Sequence, residues 1–315
     1  MKILLPHRVG GAFGHITDSW LAALLHAGFD ARRYDGQISS WLDFKPDLYI
    51  GCSGHRQQIP ANSGTQIAIH VNPFGVQSIP GINESDDAID WVCKQRPTTV
   101  FGYGFEVHRP YWSKWETKCR IPWTPMPTGA DYCKYKDKGG DRPYDLVYLG
   151  GRWSYKAKTI DRYLLPLFKI NDIKCRVAGW GDWPPELNVQ ELPLNQENDF
   201  FNSGKIGPCM SEPHTHVHGI DLPERAFKLA LCGTMFIHDA NLAVSMLETA
   251  VAAEEPEEYL RLHRYFINMP EKRESMARMQ RLEILSAHTY HHRLALLLHN
   301  CGFSTQSKHL LSLVI

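Results

Sequence analysis

Two glycine-rich turns, each following an apolar run, hold the residues of this 315-residue chain best suited to meet a phosphate-bearing ligand. In the second, Gly150-Gly151-Arg152-Trp153-Ser154-Tyr155-Lys156, the glycines let a ligand approach the backbone. Arg152 and Lys156 follow within one helical turn. A departing diphosphate needs fixed cations and helix N-terminal amides of this kind, with no covalent chemistry from the protein. The plain alternative is a strand-to-helix turn carrying two solvated cations. The first turn, Gly10-Gly11-Ala12-Phe13-Gly14-His15, departs from the spaced G-x-G-x-x-G pattern of dinucleotide binders. It offers Gly10, Gly11 and Gly14 for backbone approach and His15 as an imidazole contact.

A second lead is His70, with Asn72 beyond it, at the end of the run Gln66-Ile67-Ala68-Ile69. Open α/β sheets place ligand-contacting groups at the carboxyl ends of their strands. A neutral imidazole there could take a proton from an acceptor hydroxyl, hydrogen-bond a sugar, or be satisfied by nearby backbone. His214, His216 and His218 alternate, which on an extended segment would put three imidazoles on one face and suggest zinc. No cysteine or carboxylate of matching spacing accompanies them, so no metal is expected.

The elements that must position these groups alternate between strand and helix. Residues 2–5 read as a strand, the pattern Trp20, Leu21, Leu24, Leu25 as a helix running from Asp18 to Gly28, and 29–34 as the next strand. Further strands are expected at 48–50, 66–70 and 99–102, a rhythm that implies a parallel sheet buried on both faces. The polar, Gly- and Pro-containing stretch 134–143 suits a linker. Beyond it, 145–149 and 175–178 read as strands, 159–169 as helical, 223–232 as a helix opened by Pro223 and stopped by Gly233, and 235–237 as a strand. The stretch from about 270 to 300 reads as helical. The expected fold class is therefore α/β, two Rossmann-like domains, residues 1–138 and 139–315.

Composition narrows the function. Lys plus Arg and Asp plus Glu both total 34, so the formal net charge is zero, which argues against a protein that coats nucleic acid or an anionic membrane. The N-terminal apolar run is too short for a signal peptide, and no stretch reaches the length of a membrane helix. Eight cysteines without a C-x-x-C pair suggest reduced, mostly buried thiols and a cytoplasmic location, the host cytoplasm if the source is viral.

Four ordered blocks carry a family resemblance: RPYDLVYLGGRW at 142–153, CRVAGWGDW at 175–183, the stretch 200–239 containing R-x-F-x-x-x-x-C-G, and AHTYHHRLALLL at 287–298. Together they resemble group-1 glycosyltransferases of the B fold, in particular the spore-maturation (CgeB-like) branch. The IHVNPFG and PMPTGAD stretches at 69–75 and 125–131 resemble that family more faintly. The Gly-Arg-x-x-x-Lys arrangement is also similar to that of phage DNA α-glucosyltransferases. The resemblance implies a metal-independent glycosyltransferase of the B fold, its two domains facing across a cleft, with a UDP- or GDP-type nucleotide sugar as co-substrate and no other cofactor. It implies that Arg152 and Lys156 clamp the diphosphate, with Gly150 and Gly151 allowing backbone approach. Ser211 to Leu222, His218 included, would line the donor, and Glu224 and Arg225 would open the helix aimed at the phosphates. Lys228 departs from the pattern: many members carry there a Glu that accepts hydrogen bonds from the ribose, which a lysine cannot do. Either Glu224 takes that role, or the donor is held differently, or the chain binds no standard donor.

The acceptor hydroxyl is open, and His70 with Asn72 would assist there. A hydroxymethylated base in DNA is one candidate, because the aromatic-basic stretch 108–120 could rim a flipped base; the zero net charge opposes it. Rival readings are a non-catalytic nucleotide- or sugar-binding protein on the same scaffold and a sugar-nucleotide epimerase.

Overall fold

A computed structural model of the chain describes residues 1–7, 10–61, 63–76 and 84–314. The chain divides into two compact units, Met1–Asp131 with Tyr290–Ile315, and Tyr132–Thr289.

In the first unit short runs, most of them apolar, become parallel strands, being too short to bury themselves as helices. They are β1 (Lys2–Leu5), β2 (Asp30–Arg33), β3 (Leu48–Cys52), β4 (Gln66–His70), β5 (Thr99–Gly102) and β6 (Trp123–Pro125). Their order is β2-β1-β3-β4-β5-β6, and His70 at the end of β4 lies in register with Cys52 of β3 and Phe101 of β5. The helix after β1 spans Gly11–His26 and so begins inside the glycine turn, seven residues before the sequence pattern placed it. Its first turn is the glycine segment itself, where Gly11 has φ +73°, a conformation that side chains other than glycine rarely adopt. Trp20, Ala23 and Leu24 of this helix are buried against Ile3, Leu5 and Phe101.

The second unit is a four-stranded parallel sheet of β7 (Tyr144–Leu149), β8 (Cys175–Ala178), β9 (Gly204–Cys209) and β10 (Met235–His238), ordered β10-β9-β7-β8. The first strand therefore has a neighbour on each side, and the strand order reverses between β7 and β9. Crevices at such a reversal are where open α/β sheets bind ligands. Leu146, Tyr148, Ile206, Met235 and Ile237 form the core of the sheet, with Tyr163, Leu164, Leu167 and Tyr259 packed on them.

Several details differ from the sequence-based division. The compact units part at Asp131/Tyr132, not 138/139. The stretch that reads as a linker is fastened to the second unit: the Lys136 and Lys138 amides donate to Asn198 and Asn202, and Arg142 donates to the carbonyls of Asn202, Gly204 and Cys232. The long C-terminal helical stretch breaks at residues 288–289 into helices Pro270–Ala287 and Tyr290–Asn300. From there the chain belongs to the first unit, where Tyr290, Leu294, Leu298 and Leu310 join the core of Ile3, Trp20 and Phe101. Arg293 donates to the carbonyls of Pro127 and Thr128. The thiols are not all reduced either. Cys93, in helix Asp86–Gln95, is bonded to Cys119, in helix Ser113–Cys119, with the Cα atoms 4.9 Å apart. They are 26 positions apart, a pairing that spacing alone does not reveal. Among the described residues, no helix is long and apolar enough to cross a membrane.

Candidate functional site

At the carboxyl end of the second sheet, the turn after β7 and the turn after β8 are pressed together. A Cβ on Gly179 would lie 1.9 Å from the Gly150 carbonyl oxygen, so only glycine permits this approach. The Gly150 amide donates to Ala178 and the Arg152 amide to Trp180. A Cβ on Gly150 would lie 2.3 Å from Arg225 Nη2 and 3.1 Å from the Tyr148 hydroxyl. The missing side chain of Gly150 is thus the space that the Arg225 guanidinium occupies.

Arg225 is the second residue of helix Glu224–Leu231, whose first turn has no side-chain cap. Its Nε donates to the Leu149 carbonyl at 2.7 Å, and its guanidinium lies 4.4 Å over the Tyr148 ring. Both contacts hold it against the end of β7. Its Nη1 is buried, and among the described residues it has no hydrogen-bond partner. The same holds for the Tyr148 hydroxyl and for Glu212 Oε2. A buried polar atom left unpaired costs about 1–3 kcal/mol, so three in one strand-end region of a folded unit call for an explanation.

The predicted cations divide. Lys156, near the start of helix Ser154–Thr159, is buried and pairs with Glu212 Oε1 at 3.2 Å. Arg152 forms a forked pair with Asp161 at 3.0–3.1 Å and also donates to the Asp182 carbonyl, so these donors are already engaged. Glu224 and Lys228 form an i,i+4 pair at 3.0 Å, and both side chains are nearly enclosed. Lys228 also lies 5.3 Å over the Tyr135 ring. Burial alone would lower the Lys228 ammonium, but Glu224 and Glu197 outweigh it and push its pKa up. Burial likewise opposes charge on Glu197, yet Lys228, Tyr135 and Lys134 hold its carboxyl down. Lys228 is thus the centre of an internal ion-pair group and not an outward-facing contact.

Ser211 is fully buried behind β9, its amide donating to Asp239 at 3.0 Å and its hydroxyl 3.4 Å from His238 Nε2. Ser, His and Asp in contact suggest a hydrolytic triad, but the hydrogen bonding excludes it. The Ala240 amide donates to His238 Nδ1, so the proton sits on Nε2, which donates to the serine and cannot accept from it. Burial lowers the pKa of this imidazole to about 4. The histidine cluster is helical, not extended, over Pro213–His218. Alternate residues of a helix do not share a face. His216 pairs with Asp239 at 3.2 Å, whereas His214 lies 3.4 Å from Asp221. The two imidazoles lie near different carboxylates, His214 without a hydrogen bond to Asp221, contrary to the shared face that suggested zinc. His218 closes that helix at the Gly219 turn, and burial, then His214, lowers its pKa.

In the first unit, His70 is buried among aromatic rings: Tyr103 at 4.3 Å, Phe13 at 5.3 Å and Phe101 at 5.5 Å between centroids. Its Nδ1 is 3.7 Å from Cys52 Sγ. Asn72 donates its amide to Glu84 and accepts at its carbonyl from Trp115 Nε1, while the Ser53 hydroxyl also donates to Glu84. Gly10 and Gly11 open the helix, with open space where a Cβ would stand. Gly14 is buried in the next turn. Phe13 is the residue of this helix that reaches His70; His15, two positions on, belongs to another face.

The residues that sequence reasoning did not single out are Tyr148, Asp161, Glu197 and Asp239, and Glu212 entered only within the stretch Ser211 to Leu222. Tyr148 sits two residues before Gly150, and Glu212 follows Ser211, so position relative to a strand end was the available signal.

A family model described as glycosyl transferase-like matches residues 160–299, a span that starts after the Gly150–Lys156 turn and includes Arg225. No curated protein sequence matches the chain. Solved structures match over nearly its whole length at low identity. Sucrose-phosphate synthase from Thermosynechococcus elongatus is 10% identical, with a TM-score of 0.62, covering 97% of this chain and 99% of that one. An α-glucosyltransferase in complex with UDP-glucose and DNA containing an abasic site is 8% identical, with a TM-score of 0.63, covering 95% of this chain and 98% of that one. HepE of Anabaena in complex with UDP-glucose is 11% identical, with a TM-score of 0.60, covering 97% of this chain and 99% of that one. With two parallel-sheet Rossmann-like units and these neighbours, the chain has the glycosyltransferase B fold, and its residues 160–299 are similar to a glycosyl transferase-like family.

Proposed function

We propose that the protein is a metal-independent glycosyltransferase that takes a UDP- or GDP-sugar donor at the carboxyl end of the second sheet. The observation that carries this reading is Arg225. A guanidinium is held at the strand-order reversal by Leu149 and Tyr148, in space that Gly150 leaves free, with one buried nitrogen unpaired. A donor diphosphate supplies the acceptor that this nitrogen lacks, and the uncapped first-turn amides of Glu224–Leu231 add to the same positive end. Two of the neighbouring structures were solved with UDP-glucose, which favours UDP as the first nucleotide to try. The four sequence blocks favour the spore-maturation-like branch.

Lys156 contributes charge near Glu212, whose free oxygen suits a sugar hydroxyl. Arg152 joins the diphosphate by leaving Asp161. That pair is partly exposed and worth about 0–1 kcal/mol, whereas a charge-assisted bond to phosphate is worth about 1.5–3, so the exchange favours the ligand. In this reading Glu224, paired with Lys228, takes the ribose hydroxyls in place of the family's usual carboxylate. On the acceptor side, His70 takes the hydroxyl proton, with Asn72 beside it. A hydroxymethylated DNA base is the acceptor to test first, because one neighbour was solved with DNA.

Calorimetric titration with UDP and GDP tests the donor site. Arg225→Ala should bind the preferred nucleotide about 10- to 100-fold more weakly. Unchanged affinity would remove Arg225 from the site. Binding without transfer or hydrolysis of a panel of nucleotide sugars would support a non-catalytic binding protein, and conversion of the donor without acceptor an epimerase.

A further inference from the structure

Of the nine tryptophans, five are fully buried in the cores, and Trp180 is the one left mostly in solvent, 55% exposed. Its place is not incidental. It sits in the turn after β8, and its indole lies flat on Gly151, where a Cβ would be 2.4 Å from Cε2 and 2.6 Å from Cζ2. Glycine at 151 is what allows the ring to lie there. The backbone beneath it is fixed: the Trp180 carbonyl accepts from the Arg152 amide at 2.9 Å and from Trp183 Nε1 at 3.1 Å. Residues Arg152 and Gly181 add a parallel bridge, and Gly181, at φ +95°, would clash with the Arg152 carbonyl if it carried a Cβ. One face of the indole is therefore seated on a rigid double turn, and the other is open.

An exposed aromatic face on rigid backbone costs hydrophobic burial and gains nothing within the unit. A planar π-system from outside recovers that loss, since base–aromatic stacking tolerates any base. Position selects the ligand. Arg225 is held at the end of β7, and Trp180 follows the adjacent strand β8, one strand spacing away, about 5 Å. A ribose spans that gap between a diphosphate and a base.

We propose that Trp180 is the stacking platform for the nucleobase of the donor, a specificity that rests on the nucleotide-sugar reading above. Its face selects for the presence of a base, while Arg225 takes the diphosphate whatever is attached to it.

The test is calorimetric titration of wild type, Trp180→Ala and Trp180→Phe with the tighter binder of UDP and GDP, and with inorganic pyrophosphate. Trp180→Ala should bind the nucleotide about 10-fold more weakly or worse and pyrophosphate as wild type does, and Trp180→Phe should recover most of the loss. Nucleotide affinity equal to wild type in Trp180→Ala overturns the proposal. So does an equal loss for both ligands, which would mean a damaged turn. If wild type binds neither nucleotide, the donor reading itself fails, and that outcome is seen before any variant is made.

Discussion

Replacing Gly150 by alanine should disable the donor end without unfolding the unit, because the one atom it collides with is the tip of a movable side chain. The new Cβ would stand 2.3 Å from Arg225 Nη2, well inside contact distance, and 3.1 Å from the Tyr148 hydroxyl. Gly150 is not among the glycines of positive φ, so alanine adds no backbone strain and the effect is steric. The guanidinium must swing away, which breaks the 2.7 Å bond to Leu149 and the 4.4 Å stack on Tyr148. Those contacts are worth about 1.5–3 kcal/mol for the charge-assisted bond and about 0.5–1 for the stack, so stability should fall by about 2–4 kcal/mol in denaturant titration. Nucleotide affinity should fall about 10-fold or more, since Arg225 leaves its place. The decisive comparison is a double-mutant cycle with Arg225→Ala: if Gly150 acts through Arg225, the double variant should bind no more weakly than Arg225→Ala alone. Additive losses, or wild-type affinity in Gly150→Ala, would refute the reasoning.

Other expectations concern the framework around the site. Lys228→Glu would place a third carboxylate between Glu224 and Glu197 and should cost about 3–5 kcal/mol in thermal or denaturant unfolding; a variant as stable as wild type would show that the ion-pair group is not formed. Joint replacement of Cys93 and Cys119 by serine should lower stability by about 3.5 kcal/mol on the loop-entropy relation, and a reducing agent should shift wild type but not the double variant. His238, His263 and His291 are all held by burial at about 4, below their ordinary 6.5. The unfolded chain then binds more protons between those values, so Tm should be flat above pH 6.5 and fall as pH drops from 6.5 towards 4. A Tm constant across that interval would contradict the buried, neutral state of these rings.

Sequence by itself determined the alternation of strands and helices, the two glycine turns and the α/β class, because period and turn chemistry are local properties. KILL is a strand and CRVA is a strand in both readings. The helix opened by Pro223 and stopped by Gly233 also stands, within a residue at either end. What only the tertiary structure decided depends on partners remote in sequence. Residues 290–315 return to the first sheet because Leu294, Leu298 and Leu310 find their buried neighbours in Ile3 and Trp20. The stretch 134–143 reads as a linker because it is polar, yet those same polar groups bond to Asn198, Asn202 and three backbone carbonyls. Arg152 looks free in sequence, but Asp161, nine positions on, takes it. Arg225 acquires its meaning only where the absent side chain of Gly150, seventy-five positions earlier, leaves room for it. Charge and spacing named the groups able to hold a phosphate; packing decided which of them still has a bond to give.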